Sequence, residues 1–123
     1  MVEVASLNGI RSFFEPKSIA VVGVSADQSK LASIIFSNLL RNHARGILKA
    51  SVYPLNPSHA FIGNRRCYPR LDSLPEVPEL IVVAVPASLA VEVVKHAAKV
   101  GVKAAIMITG ASLKRESGGW RNG

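Results

Sequence analysis

The residues of this chain best suited to chemistry stand at the ends of its apolar runs. The run Ser18–Val22 closes on Gly23-Val24-Ser25, and Lys30 follows just before a helix-periodic segment opens at Leu31. Strand, glycine turn and helix together aim backbone N–H groups and a positive helix end at an anion, above all a phosphate. Lys30 sharpens that reading, because a cation at a helix N-terminus opposes the macrodipole unless an anion sits there too. Taken singly, Gly23 reads equally well as a turn glycine, and Ser25 as a loop hydroxyl bonded to its own backbone. Further along, Asn56-Pro57, Val85-Pro86 and Thr109-Gly110 close three more apolar runs. In an open parallel sheet, ligands sit beyond the carboxyl ends of the strands, so these ends point to one shared groove.

A nicotinamide dinucleotide fits this groove poorly. Its fingerprint needs G-x-G-x-x-G and an acid near the end of the second strand. Ser25 stands where the second glycine would be, and Asn56-Pro57 where the ribose-binding acid would be. Other catalytic sets are thin. The three histidines, His43, His59 and His96, lack metal-ligand spacing, and His43 suits a helix C-terminus as a dipole partner. Cys67 lies beside Arg65 and Arg66, which would lower its pKa, but a buried inert thiol is the commoner case. No Ser-His-Asp set, paired carboxylates or Walker lysine motif is present.

Positioning these ends requires a packed core, and the 123 residues suffice for one domain. Hydrophobic residues make up 49% and charged residues 19%, which argues against disorder. The apolar runs fall well short of the ~20 residues that span a bilayer, so no membrane association is expected. The single cysteine and the absence of a signal-like start fit a reducing cytoplasm. The net charge of +7 suits a polyanionic ligand, a nucleic acid or an acidic partner, or else a plain solvated surface. Nucleic acid ranks last, since aromatics are only 6% and several fall at core positions.

Hydrophobic spacing predicts a short helix over Leu7–Phe14, ended before Pro16, and a first core strand over Ser18–Val22. A helix from about Ser29 to Asn42 follows, with Leu31, Ile34, Ile35, Asn38, Leu39 and Asn42 along one stripe and Gly46 as its stop. A second strand runs from about Lys49 to Leu55 and ends at Pro54–Pro57. Short extended pieces at Phe61-Ile62 and Arg66–Tyr68 and a helical turn at Leu71–Leu74 fill an irregular stretch. Leu80–Val85 is a further apolar strand, and Ser88 can cap a helix with an apolar face of Val91, Val94, Ala97 and Ala98. Gly101 closes that helix and Val102–Ile108 forms the last buried strand. Strands that are apolar throughout, alternating with helices, predict an α/β fold. The expected form is a Rossmann-like doubly wound parallel sheet of about five strands with helices on both faces.

The set Phe13-Phe14-x-Pro16-Lys17-Ser18-Ile19-Ala20-Val21-Val22-Gly23-x-Ser25 is followed by Lys30, Asn38-Leu39, Tyr53-Pro54-x-Asn56-Pro57 and Gly63. Tyr68-Pro69, Leu74-Pro75, Val85-Pro86 and Gly101-Val102-Lys103-Ala104 complete it. In this order and spacing it resembles the CoA-binding domain of NDP-forming (ADP-forming) acyl-CoA synthetases, relatives of the succinyl-CoA synthetase α subunit. The resemblance covers about Leu7 to Gly110. It implies coenzyme A as ligand, with Gly23, Val24, Ser25 and Lys30 on its phosphates. Asn56, Pro57, Val85, Pro86, Thr109 and Gly110 would line the rest of the groove. Residues 1–110 are expected to form the binding domain, and 111–123, polar, basic and without helical or strand period, a tail that is disordered or truncated.

Two departures stand out. Ala32 replaces a glycine that the family usually carries two residues after the lysine. After Gly110 the chain reads Ala111-Ser112-Leu113-Lys114-Arg115-Glu116 instead of Gly-Phe and an acidic stretch, as an early frameshift would produce. The family's phosphorylated histidine and its ATP-grasp module, which drive acid, ATP and CoA to acyl-CoA, have no room here. The expected role is a non-catalytic fragment or subunit of such a ligase, partnered by a subunit carrying those domains. The alternative is a stand-alone regulatory or interaction domain that senses CoA or another nucleotide.

Overall fold

The structure, a computed structural model, describes residues 2–6, 15–27, 29–62 and 65–108. The helix expected over Leu7–Phe14, the tail from Ala111, Gly63 and the pair Thr109-Gly110 lie outside the described residues. The apolar runs form strands β2 (Ser18–Val22), β3 (Ser51–Leu55), β6 (Leu80–Val83) and β7 (Ala104–Ile108). All are parallel neighbours, with Ile19 opposite both Val52 and Leu80, and Leu80 opposite Ala104. A fifth strand, β1 (Val2–Ser6), completes the sheet in the order β1-β7-β6-β2-β3. It runs antiparallel to β7, with Val2 opposite Ile108, as an edge strand beside the expected parallel sheet. Five residues with no long apolar run give too little periodicity to mark such an edge strand.

Because strand side chains alternate, each strand feeds two cores. Ile19, Val21, Val52, Leu80, Val82 and Ala104 face helix α1 (Leu31–Ala44), and Ala20, Leu55, Ile81, Val83 and Ala105 face helix α2 (Ala87–Val100). Helices therefore cover both faces, as a doubly wound sheet requires. The faces of the helices differ from the expected ones. On α1 the buried residues are Ala32, Ser33 and Phe36, with Ile35, Leu39 and Leu40 packed alongside, while Ile34 is 43% exposed. The first turn buries two small residues, and Phe36 packs into the same core. On α2 the stripe is Ala90, Val93, Val94, Ala97 and Val100, and Val91 and Ala98 point outward. Gly101 ends α2 in the left-handed region at φ +100, its N–H donating to Ala97 and Ala98.

Pro54 lies inside β3 rather than ending it. Its carbonyl accepts the Tyr68 N–H on the outer edge. Backbone N–H and C=O of one strand residue point the same way, so its missing donor costs no bond to β2. Beyond this edge, β4 (Phe61–Ile62) and β5 (Arg65–Arg66) pair as a short hairpin, and Leu71–Ser73 forms a 3-10 turn. At the amino end of the sheet, Glu79 fixes the register. Its N–H donates to Ser18, its carbonyl accepts from Lys103 and Ala104, and its carboxylate accepts the Lys17 N–H at 2.9 Å.

Candidate functional site

The chain leaves β2, runs to β3 on one side, and returns through β6 to the other side of β2. The switch point of the sheet thus lies between the carboxyl ends of β2 and β6, where a crevice opens in this class of fold. Gly23 occupies it at φ +100. A Cβ there would stand 2.9 Å from Val85 Cγ1, 3.4 Å from the Ala84 carbonyl and 3.6 Å from Ala32 Cβ. Only glycine meets both the backbone angle and the space. Ala32 is small enough to allow the approach despite replacing a glycine.

The loop beyond Gly23 is held by side chains. Val24 is buried in the α1 core, and its carbonyl accepts the Asn56 side-chain amide at 2.9 Å. The Ser33 hydroxyl, 1% exposed, donates to the Ser25 carbonyl at 2.8 Å and accepts the Ser25 N–H at 3.0 Å. Ser25 Oγ accepts the Asp27 N–H. Asp27 in turn accepts from the Ser29 hydroxyl at 2.6 Å and the Ser29 N–H at 2.9 Å. These two bonds, the hydroxyl first, hold the Asp27 carboxyl below the usual carboxylate range, and the nearby Lys30 charge adds to them.

What remains unpaired defines what the edge can bind. Lys30 is the N-cap of α1 but makes no side-chain cap bond, and the first turn holds no acid. Among the described residues, the N–H groups of exposed Ala26 and part-exposed Leu31 have no acceptor, and Lys30 has no ion pair. Helix α2 starts at the same edge from Pro86, also without a side-chain cap or first-turn acid. Ser88 is therefore an inner residue of the first turn and not the cap, because Pro86 with its fixed φ already turns the chain into the helix. Two bare helix ends, accessible amides at Ala26 and Leu31 and an exposed ammonium suit a diphosphate.

The structure places Gly23 against Val85 and ties Val24 to Asn56, with Ser25 next along the same loop. Asn56 is engaged as a brace: besides Val24 it accepts the Ser58 N–H at 2.8 Å, and its backbone bonds to Tyr68. Pro57 borders two cavities. One, of about 320 Å³, is lined by Val22, Leu55, Pro69, Leu71, Val93 and His96 among others, on the α2 side. The other, of about 500 Å³, lies under the hairpin beside Phe61, Arg66 and Cys67. Cys67 is buried, and burial pushes its thiol up, so it is no activated nucleophile. Arg65 and Arg66 are exposed, with Arg66 stacked over Tyr68 at 5.4 Å, and do not lower it. Nothing in the sequence marks Ser33 or Val93 at this edge, and it shows Leu71 only as part of a turn and His96 only as a histidine without metal-ligand spacing. A serine or valine inside a helix carries no signature until its face is known. Among the described residues no metal-ligand cluster occurs, and no helix is long and apolar enough to cross a membrane.

Residues 17–117 match the family described as CoA binding domain. The chain belongs to that family. It is 34% identical over 110 residues to acetate–CoA ligase [ADP-forming] II of Archaeoglobus fulgidus, a match covering 89% of this chain and 16% of that protein. The chain thus spans about a sixth of the length of that relative. Among solved structures, the apo form of the dinucleotide-forming acetyl-coenzyme A synthetase 1 of Candidatus Korarchaeum cryptofilum superimposes with a TM-score of 0.69 at 36% identity. That match covers 77% of this chain and 20% of the other. A conserved hypothetical protein of Pyrococcus furiosus gives 0.60 at 33% identity, covering 71% and 70%. This CoA-binding-domain member is homologous to the CoA-binding part of ADP-forming acyl-CoA synthetases, and the fold they share is the α/β sheet described above.

Proposed function

We propose that this domain binds coenzyme A along the carboxyl edge of its sheet. The observation that carries the reading is the family match over residues 17–117. It is supported by a loop whose free amides and close-packed Gly23 suit a diphosphate. In this reading Gly23–Ser25 and the α1 terminus face the phosphates and Lys30 supplies the positive charge. Asn56, Pro57, Val85, Pro86, Thr109 and Gly110 border the groove, and residues 1–110 make up the domain. Bound coenzyme A supplies an acyl-accepting thiol. The domain holds that carrier and presents it to an acyl phosphate formed elsewhere, on a subunit carrying the phospho-histidine and ATP-grasp domains, in a reducing cytoplasm that keeps Cys67 free.

Isothermal titration of the folded chain with coenzyme A tests this. Binding is expected to weaken with salt and to fall about three- to tenfold in Lys30→Ala, the range of one partly exposed charge-assisted contact. Folded protein that shows no binding at low salt overturns it.

A second reading is a stand-alone domain that senses coenzyme A without chemistry. The Pyrococcus furiosus structure supports it, since 70% of that chain is covered by this one domain. Co-purification with a histidine-bearing and ATP-grasp partner would decide for the ligase role.

A further inference from the structure

We infer that Ser33 is a positioning residue, aiming the Ala26 N–H at the anionic ligand without touching that ligand itself. The inference rests on the coenzyme A reading above and goes one step further, to the residue that shapes the loop. Serines inside helices usually point to solvent or bond back to the carbonyl four residues earlier. Ser33 does neither. It is 1% exposed, and its hydroxyl reaches out of the helix to grip both the carbonyl and the N–H of Ser25, at 2.8 and 3.0 Å.

The two bonds act on different peptide planes. In a trans peptide the C=O and the next N–H point in opposite directions. The Ser25 carbonyl is drawn inward to Ser33, so the Ala26 N–H on the same plane is turned outward, at an exposed residue. The preceding plane is fully occupied: Asn56 holds the Val24 carbonyl and Ser33 takes the Ser25 N–H. Ser33 thereby removes one amide from the edge and fixes another on it. With its hydroxyl gone, the Ser25–Ala26 peptide is free to rotate and the outward donor is lost.

Titration of the full chain with coenzyme A, followed by amide NMR and calorimetry, tests this. In the wild type the Ala26 amide is expected to shift strongly on binding. Ser33→Ala should lose about tenfold or more in affinity, with little Ala26 shift, and Ser33→Thr should restore most of both by returning the hydroxyl. A folded Ser33→Ala chain that binds within twofold of wild type overturns the inference, and so does a wild-type Ala26 amide unmoved by bound coenzyme A. Where Ser33→Ala fails to fold, the wild-type Ala26 shift and the Ser33→Thr titration decide. A folded wild type that binds no coenzyme A overturns the function reading itself. Binding with an unmoved Ala26 overturns only this step.

Discussion

Two strand-to-helix junctions meet at the carboxyl edge of the sheet, and they are built differently. The β2–α1 junction spans residues 23–30 and is tied by Asn56, Ser33, Ser25 and Asp27 to its own backbone. The β6–α2 junction is only Ala84-Val85-Pro86, with no side-chain bond and with the Pro86 carbonyl accepting the first helical N–H groups. Both helices start bare. Only the first junction commits a buried serine and a half-buried asparagine to its loop, which is costly unless the shape of that loop matters. The second acts mainly as a wall, with Val85 packed against the place where a Gly23 side chain would go.

That contrast is most exposed at Gly23. Gly23→Ala combines a left-handed backbone, costing about 1–2 kcal/mol, with a 2.9 Å clash against Val85. Overpacking adds about 1–3 kcal/mol, so a loss of roughly 2–5 kcal/mol is expected, with coenzyme A binding abolished. Gly46 has a similar backbone, φ +77, but nothing within 4 Å of a Cβ. Gly46→Ala should therefore lose only about 1 kcal/mol and leave binding intact. Equal losses in urea unfolding would show that the wall at Val85 yields easily.

A smaller effect is expected from the brace. Asn56→Ala leaves the partly buried Val24 carbonyl unpaired and should cost about 1–2 kcal/mol, with a matching drop in coenzyme A affinity. Pro86→Ala at the plainer junction should cost less than about 1 kcal/mol, through the unfolded chain. Chemical denaturation of the two variants compares the junctions directly, and a costlier Pro86→Ala would reverse their ranking.

The sequence made the frame legible and the joinery less so. Apolar runs such as Ser18–Val22 and Leu80–Val83 could only be strands buried on both faces, and their ends located the edge. The faces of the helices were harder, because Ala32 and Ser33 are small and Ile34 looked like core. Ile34 is exposed since the helix must bring its small residues, not its large ones, next to Gly23. Asn56 was read as a groove residue from its place after a proline-kinked strand, and its role as a brace is a matter of distance that spacing does not carry. β1 was invisible because its partner β7 is remote along the chain, and the Ser33 bonds, to a residue close by, because the spacing does not say which face of the helix is buried.

Asp27 is where the two demands on the loop meet, and its effect should be the smallest. Its carboxylate orders the turn through Ser29, yet it places a negative charge beside the helix end that would face a phosphate. Its pKa is depressed in the folded state. Its contribution to stability is therefore present above the unfolded value of about 3.9 and lost as pH falls through the lower folded value. Asp27 is fully exposed, so salt screens most of this. The unfolding midpoints of wild type and Asp27→Asn should differ slightly at pH 6 and converge below pH 4. Coenzyme A affinity should move the other way, rising about two- to threefold in Asp27→Asn at low salt as the like charge is removed. If affinity falls instead, the ordered turn matters more to the ligand than the charge does, and the β2–α1 junction works by shape before electrostatics.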